Sequence, residues 1–82
     1  AILGACAIHP GLGLSASKEA DADVKRAMLA ASREHWIVAD HLKLNHCEPY
    51  LVSGLSDIHQ LFLDRPWAEL GDNSALQVTV CA

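Results

Sequence analysis

DADVKRAMLAASREHWIVADHLKL, residues 21–44, holds the change of period that decides the fold. In its first half Val24, Ala27, Met28 and Ala31 recur at helical spacing, which leaves Asp21, Lys25, Arg26 and Arg33 for the other faces. The spacing predicts a helix from residue 17 to about 33, with Ser15 or Ser17 as its cap. Glu19, Asp21 and Asp23 fall in the early turns and the positive side chains come later, as the helix dipole favours. The period then changes. Residues 35–39 predict a buried strand that ends at Asp40, and a cation follows at Lys43.

Reading outward, "ILGACAI" (residues 2–8) predicts one short strand, and "HPGLGLS" (9–15) breaks it with Pro10, Gly11 and Gly13. Residues 41–57 read as irregular, with Pro49, Gly54 and a turn at Ser56 and Asp57. "QLFL" (60–63) is a further strand ending in Asp64. Pro66 then opens a short helix, "PWAEL", which Gly71, Asp72, Asn73 and Ser74 would terminate. "ALQVTV" (75–80) reads as the last strand. The order β-α-β-loop-β-α-β gives an α/β fold with a mostly parallel sheet and crossover helices.

In such sheets ligands sit beyond the carboxyl ends of the strands. His9, Asp40 and Asp64 each follow a predicted strand, so their side chains are expected to converge on one rim. Asp40 and Lys43 form the best pair, a carboxylate able to accept from hydroxyls beside an ammonium able to meet a phosphate or carboxylate.

Six basic against ten acidic residues, a formal charge of -4, argue against this chain gripping a phosphate backbone by itself. No apolar run approaches the roughly 18 to 20 residues of a membrane span. Cys6, Cys47 and Cys81 are odd in number and without a C-x-x-C, which suits reduced thiols in a cytoplasmic protein. Cys6 and His9, with His46 and Cys47, do not match common zinc spacings, so no metal is expected. His35, His41 and His59 read as surface or strand-edge residues. The 82 residues make at most one small domain, yet 51% are hydrophobic. A chain this short buries only about 60% of the surface it exposes unfolded. The excess is therefore expected to meet further chain of the same domain or another subunit, and the apolar opening "AILGACAI" favours a piece of something longer.

The stretch at 21–44 resembles the effector-binding domain of DeoR-type bacterial transcriptional repressors, a domain related in fold to ribose-5-phosphate isomerase and glucosamine-6-phosphate deaminase. The family reads Gly-Ile-Asp, a Gly-Leu-Thr/Ser loop, Glu-x-x-x-Lys on a helix, a strand closing in Ala-Asp-x-Ser-Lys-Phe, then Leu-x-x-Ile-Asp and a strand ending in Thr-Asp. The matching residues are Ile8 and His9, then Gly13, Leu14 and Ser15, then Asp21 and Lys25. Ala39, Asp40 and Lys43 follow, then Leu55 and Ile58, and finally Asp64. His9 replaces the family's aspartate, Leu42 and Leu44 replace its Ser and Phe, and Asp21 shortens its glutamate.

The resemblance implies a partial Rossmann-like, sugar-phosphate isomerase-type domain over residues 1–82. It would sense a phosphorylated sugar through Lys43, Asp40, His9, Asp21 and Lys25, without catalysis, cofactor or metal. Contact with DNA would come only through a winged helix-turn-helix preceding residue 1, and the protein is expected to be a cytoplasmic homo-oligomer. Two alternatives stay open. One is an isomerase with Asp40 or Asp64 as base and Lys43 stabilising an enediolate; the other is a degenerate domain that mainly joins subunits.

Overall fold

The computed structural model describes residues 2–70 and 76–81. It is an α/β fold of two sheets and one α-helix. β1 (Ile2–Gly4), β4 (Trp36–Ala39), β6 (Gln60–Leu63) and β7 (Gln77–Val80) form a sheet in the order β1-β4-β6-β7, parallel throughout. β2 (Ala7–His9), β3 (Gly13–Ala16) and β5 (Tyr50–Ser53) form an antiparallel sheet in the order β2-β3-β5. α1 (Glu19–Ala30) packs on β3 and β5.

The parallel sheet adds its strands in one direction only. Crossovers of one hand then put the connections from β1 to β4 and from β4 to β6 on the same face. That covered face carries Leu3, Ile37, Ala39, Leu61 and Leu63, all buried against Ile8, Leu14, Ala16 and Val52 of the other sheet and Ala22 and Leu29 of α1. The opposite face carries Ile2, Val38 and Phe62, of which Ile2 and Val38 are exposed and Phe62 is half-buried. Trp36 stacks at a tilt on Phe62, with ring centroids 5.7 Å apart.

Several expectations are corrected. Residues 2–8 are not one strand: the chain turns at Ala5 and Cys6, so β1 enters the parallel sheet and β2 the antiparallel one. The expected loop at 9–15 contains the start of β3, because Gly13 at φ 91 lets a tight hairpin return the chain. A Cβ there would strike the backbone carbonyl oxygen of Ser53 on the neighbouring strand. Within the expected irregular stretch lies β5, so the connection from β4 to β6 passes through the second sheet and not through a crossover helix. The second helix is reduced to one 3-10 turn, Ala68–Leu70, and the residues expected to terminate it, 71–74, lie outside the described residues.

The helix is also turned relative to expectation. Val24 and Met28 are 59% and 42% exposed, whereas Ala22 and Leu29 are buried and Lys25, on the same stripe, has a side chain only 13% exposed. Propensity places the helix, but the small Ala22 is what lets it lie against β3 and β5. Its N-cap is Lys18, without a side-chain bond; Ser15 is instead buried in β3, where its hydroxyl accepts from the amide of Glu48. Asn45 adopts φ 63, a left-handed conformation that asparagine tolerates, and its side-chain oxygen accepts from the Trp67 indole at 2.8 Å.

Candidate functional site

The parallel register aligns Ala39 of β4 with Leu63 of β6. The next residue on each strand is therefore an aspartate, and Asp40 and Asp64 stand side by side where the strands end. Between and beside them opens a cavity of about 390 Å³ lined by Gly4, Ala5, Val38, Ala39, Asp40, Lys43, Phe62, Leu63, Asp64 and Cys81. Its floor is apolar and its charged groups are Asp40, Lys43 and Asp64.

Each charged group is placed by local backbone chemistry. Asp40 caps the 3-10 turn His41–Lys43: its carboxylate accepts from the Leu42 amide at 3.0 Å, and its carbonyl accepts from the Lys43 amide at 3.0 Å. The turn brings Lys43 back over the strand end. Among the described residues its ammonium has no ion-pair partner, which leaves its charge for a ligand. Asp64 is fixed from the side by His41, whose Nδ1 lies 2.7 Å from the Asp64 carboxylate. That hydrogen bond holds the Asp64 carboxyl below the usual carboxylate range.

Asp21 and Lys25 form a second cluster with Cys6, just past the end of β1. Lys25 Nζ lies 3.1 Å from Asp21 and 3.4 Å from the Cys6 sulfur, and the Cys6 thiol lies 3.4 Å from Asp21. Bonds from Lys25 and then Cys6 lower the Asp21 carboxyl below its usual value. Burial pulls the Lys25 ammonium down, but the bonds to Asp21 and Cys6 outweigh it and hold the group above its usual value. Cys6 adjoins Ala5, a lining residue, so this cluster flanks the cavity without lining it.

His9 does not join either group. It ends β2 in the antiparallel sheet, and its Nδ1 accepts from the amides of Gly11 at 3.0 Å and Leu12 at 3.3 Å in the hairpin turn. The rim expected at His9, Asp40 and Asp64 is thus built by Asp40 and Asp64, with Ala5 past the end of β1. The sequence reading passed over His41 as a surface residue. Its signal was the position directly after Asp40, in the turn that the neighbouring strand's Asp64 would face. Phe62 and Cys81 were also missed; an outward residue of a parallel strand reads as core until the covering layer is known. Among the described residues no group of three or more His, Cys, Asp or Glu side chains comes together as a metal site.

The model of the DeoR C-terminal sensor domain family matches residues 1–65, a span that includes Asp40, Lys43, Asp64 and the Cys6 cluster. The chain belongs to the DeoR C-terminal sensor domain family. It is the effector-binding part of a DeoR-type regulator, a regulatory family in which a small molecule is the ligand. Neither a curated protein nor a solved structure matches the chain. Among the described residues no helix is long and apolar enough to cross a membrane.

Proposed function

We propose that this sensor domain binds a phosphorylated sugar in the cavity at the ends of β4 and β6, and that occupancy controls DNA binding by a winged helix-turn-helix elsewhere in the protein. The observation that carries this reading is a Lys43 ammonium, without an ion-pair partner among the described residues, beside Asp40 and Asp64 in one cavity over an apolar floor. The ammonium takes the phosphate, and the carboxylates accept from sugar hydroxyls. Asp21 and Lys25 border the ligand from the Cys6 side, and His9 belongs to the hairpin that supports it. We read the domain as part of a larger Rossmann-like fold of the sugar-phosphate isomerase type, working in the cytoplasm as a homo-oligomer. The apolar residues Ile2, Val38, Val24 and Met28 left at the surface support an oligomer.

Ligand acts here by differential affinity for DNA-competent and DNA-incompetent arrangements, with no bond made or broken. A second reading is favoured by one observation, the His41–Asp64 hydrogen bond at the cavity, which would serve proton transfer in an aldose-ketose isomerisation. The test is thermal unfolding with phosphorylated sugars and their unphosphorylated counterparts, on the wild type and on Lys43→Ala, with product assays in parallel. A shift with a phosphorylated sugar that Lys43→Ala removes, without turnover, supports sensing. Turnover favours the second reading, and a shift of equal size in Lys43→Ala contradicts the site.

A further inference from the structure

At the end of the sheet away from the cavity, one histidine makes more hydrogen bonds than its neutral ring can supply. The His35 Nδ1 lies 2.6 Å from the carbonyl oxygen of Asp57. Its Nε2 lies 2.7 Å from the carbonyl of Leu29 and 3.1 Å from that of Ser32. Carbonyl oxygens only accept, and a neutral imidazole carries a single N–H. A neutral His35 would leave a ring lone pair facing an oxygen lone pair at hydrogen-bond distance. Only the imidazolium donates at both nitrogens.

The surroundings favour that cation. Leu29 lies in the last turn of α1 and Ser32 two residues beyond its end, where the dipole is negative; the Leu29 carbonyl also accepts from the Ser32 amide at 3.1 Å, and the last turn of α1 has no basic residue of its own. The backbone of His35 completes the junction. Its amide donates to His59 Nδ1 at 2.9 Å, and its carbonyl accepts from the amides of His59 at 3.0 Å and Gln60 at 3.3 Å. One residue therefore ties α1, β4, the 3-10 turn Leu55–Asp57 and β6 together.

We propose that His35 is a pH-dependent staple, held as the imidazolium in the folded protein, whose deprotonation releases either the end of α1 or the turn that leads into β6. The same two strands end at Asp40 and Asp64, so the staple fixes from behind the strands that carry the cavity.

The charged groups around it set its limits. From the 3-10 turn, the Asp57 carbonyl contributes most to raising the His35 pKa above its usual value; burial opposes it, and the Leu29 and Ser32 carbonyls from α1 add to the rise. Arg33 and Glu34 are exposed and precede it in the chain, and the Asp57 carboxylate is exposed on the turn. From β6 the ring of His59 stands 5.3 Å away at a tilt of 56°. His59 Nδ1 is already an acceptor, so protonating it would remove that bond and set a second cation against the first. The staple therefore works with His35 charged and His59 neutral. A raised folded-state pKa means that its stabilisation is complete below the ordinary imidazole pKa and is lost as pH rises through the folded value.

The experiment is imidazole nitrogen NMR on the full protein carrying ¹⁵N-histidine, with thermal unfolding of wild type and His35→Gln across about pH 6 to 9. The expected spectrum at about pH 6.5 has both His35 ring nitrogens protonated, with a titration above the ordinary imidazole value. His35→Gln is expected to melt about 4–8 °C lower at the acid end, the size of one hydrogen bond in a domain this small, with the gap closing as pH rises. A single-nitrogen tautomer at that pH, or a His35 titration at or below the ordinary value, would overturn the proposal. The spectrum of the unsubstituted protein decides this even if the variant does not fold.

Discussion

The two ends of the parallel sheet treat polar groups in opposite ways. At the amino ends of β4 and β6, every polar atom of His35, ring and backbone, is bonded to protein. At the carboxyl ends of the same strands, Lys43 stands without an ion-pair partner among the described residues, and Asp40 and Asp64 face an open cavity. His35 holds structure and has no polar atom left to offer a ligand. The unsaturated carboxyl end needs a ligand to complete it. The pH response differs as well. Stability from His35 is lost toward alkaline pH. Stability from Asp64, whose pKa is lowered chiefly by the His41 hydrogen bond, is present above the usual carboxylate value and lost as pH falls through its folded one.

The strongest way to break the contrast is to remove what joins the two ends. Leu61→Ala empties the middle of β6, where Leu61 is fully buried, and should cost about 2–5 kcal/mol in a denaturant titration. Both ends should then fail together. Next in size, His35→Gln should lower the melting temperature at acid pH and leave it nearly unchanged at alkaline pH; a pH-independent loss would mean that the ring acts only by packing. Asp40→Ala removes the cap of the turn that carries Lys43 and should cost about 1 kcal/mol. It should weaken ligand response as well, because Lys43 is placed by that turn. Asp64→Asn should make the acid limb of the stability curve shallower, leaving the share that belongs to Asp21, and should leave the alkaline limb intact; an unchanged acid limb would remove Asp64 as a contributor. Smallest of all, Lys43→Ala should shift stability by less than about 0.5 kcal/mol, since its ammonium has no ion-pair partner among the described residues.

The same contrast explains what the sequence made legible. β4, β6 and the place of α1 follow from periodicity, although α1, at Glu19–Ala30, is shorter at both ends than the expected 17–33, and Asp40 and Asp64 follow from the way apolar strands stop. Parallel strands carry near-continuous apolar runs where both faces are to be covered; β4 and β6 carry such runs, with Val38 on the face left open, and those runs are easy to see. The antiparallel sheet was hidden because β2, β3 and β5 sit among Gly, Pro and Ser, the residues of loops. Gly13 reads locally as a loop breaker and not as a hairpin residue, and the pairing of β3 with β5 depends on a partner far along the chain that a local window does not contain. The face of α1 misled for a different reason: Val24 and Met28 look like core, but the helix buries Ala22 and Leu29 and tucks Lys25 against Cys6. A small residue and a paired cation are weak signals of burial. His35 was illegible for the same reason, since only tertiary structure shows which carbonyls enclose its ring.

The most direct test of the central claim is the melting temperature of the protein with and without phosphorylated sugars, repeated on Lys43→Ala. A ligand at about 100 times its dissociation constant should add about 2.7 kcal/mol to the wild type. Lys43→Ala should keep its own stability and lose that gain. A phosphorylated sugar that stabilises both proteins equally would place the ligand away from Lys43 and contradict the assignment of this end of the sheet as the sensing site.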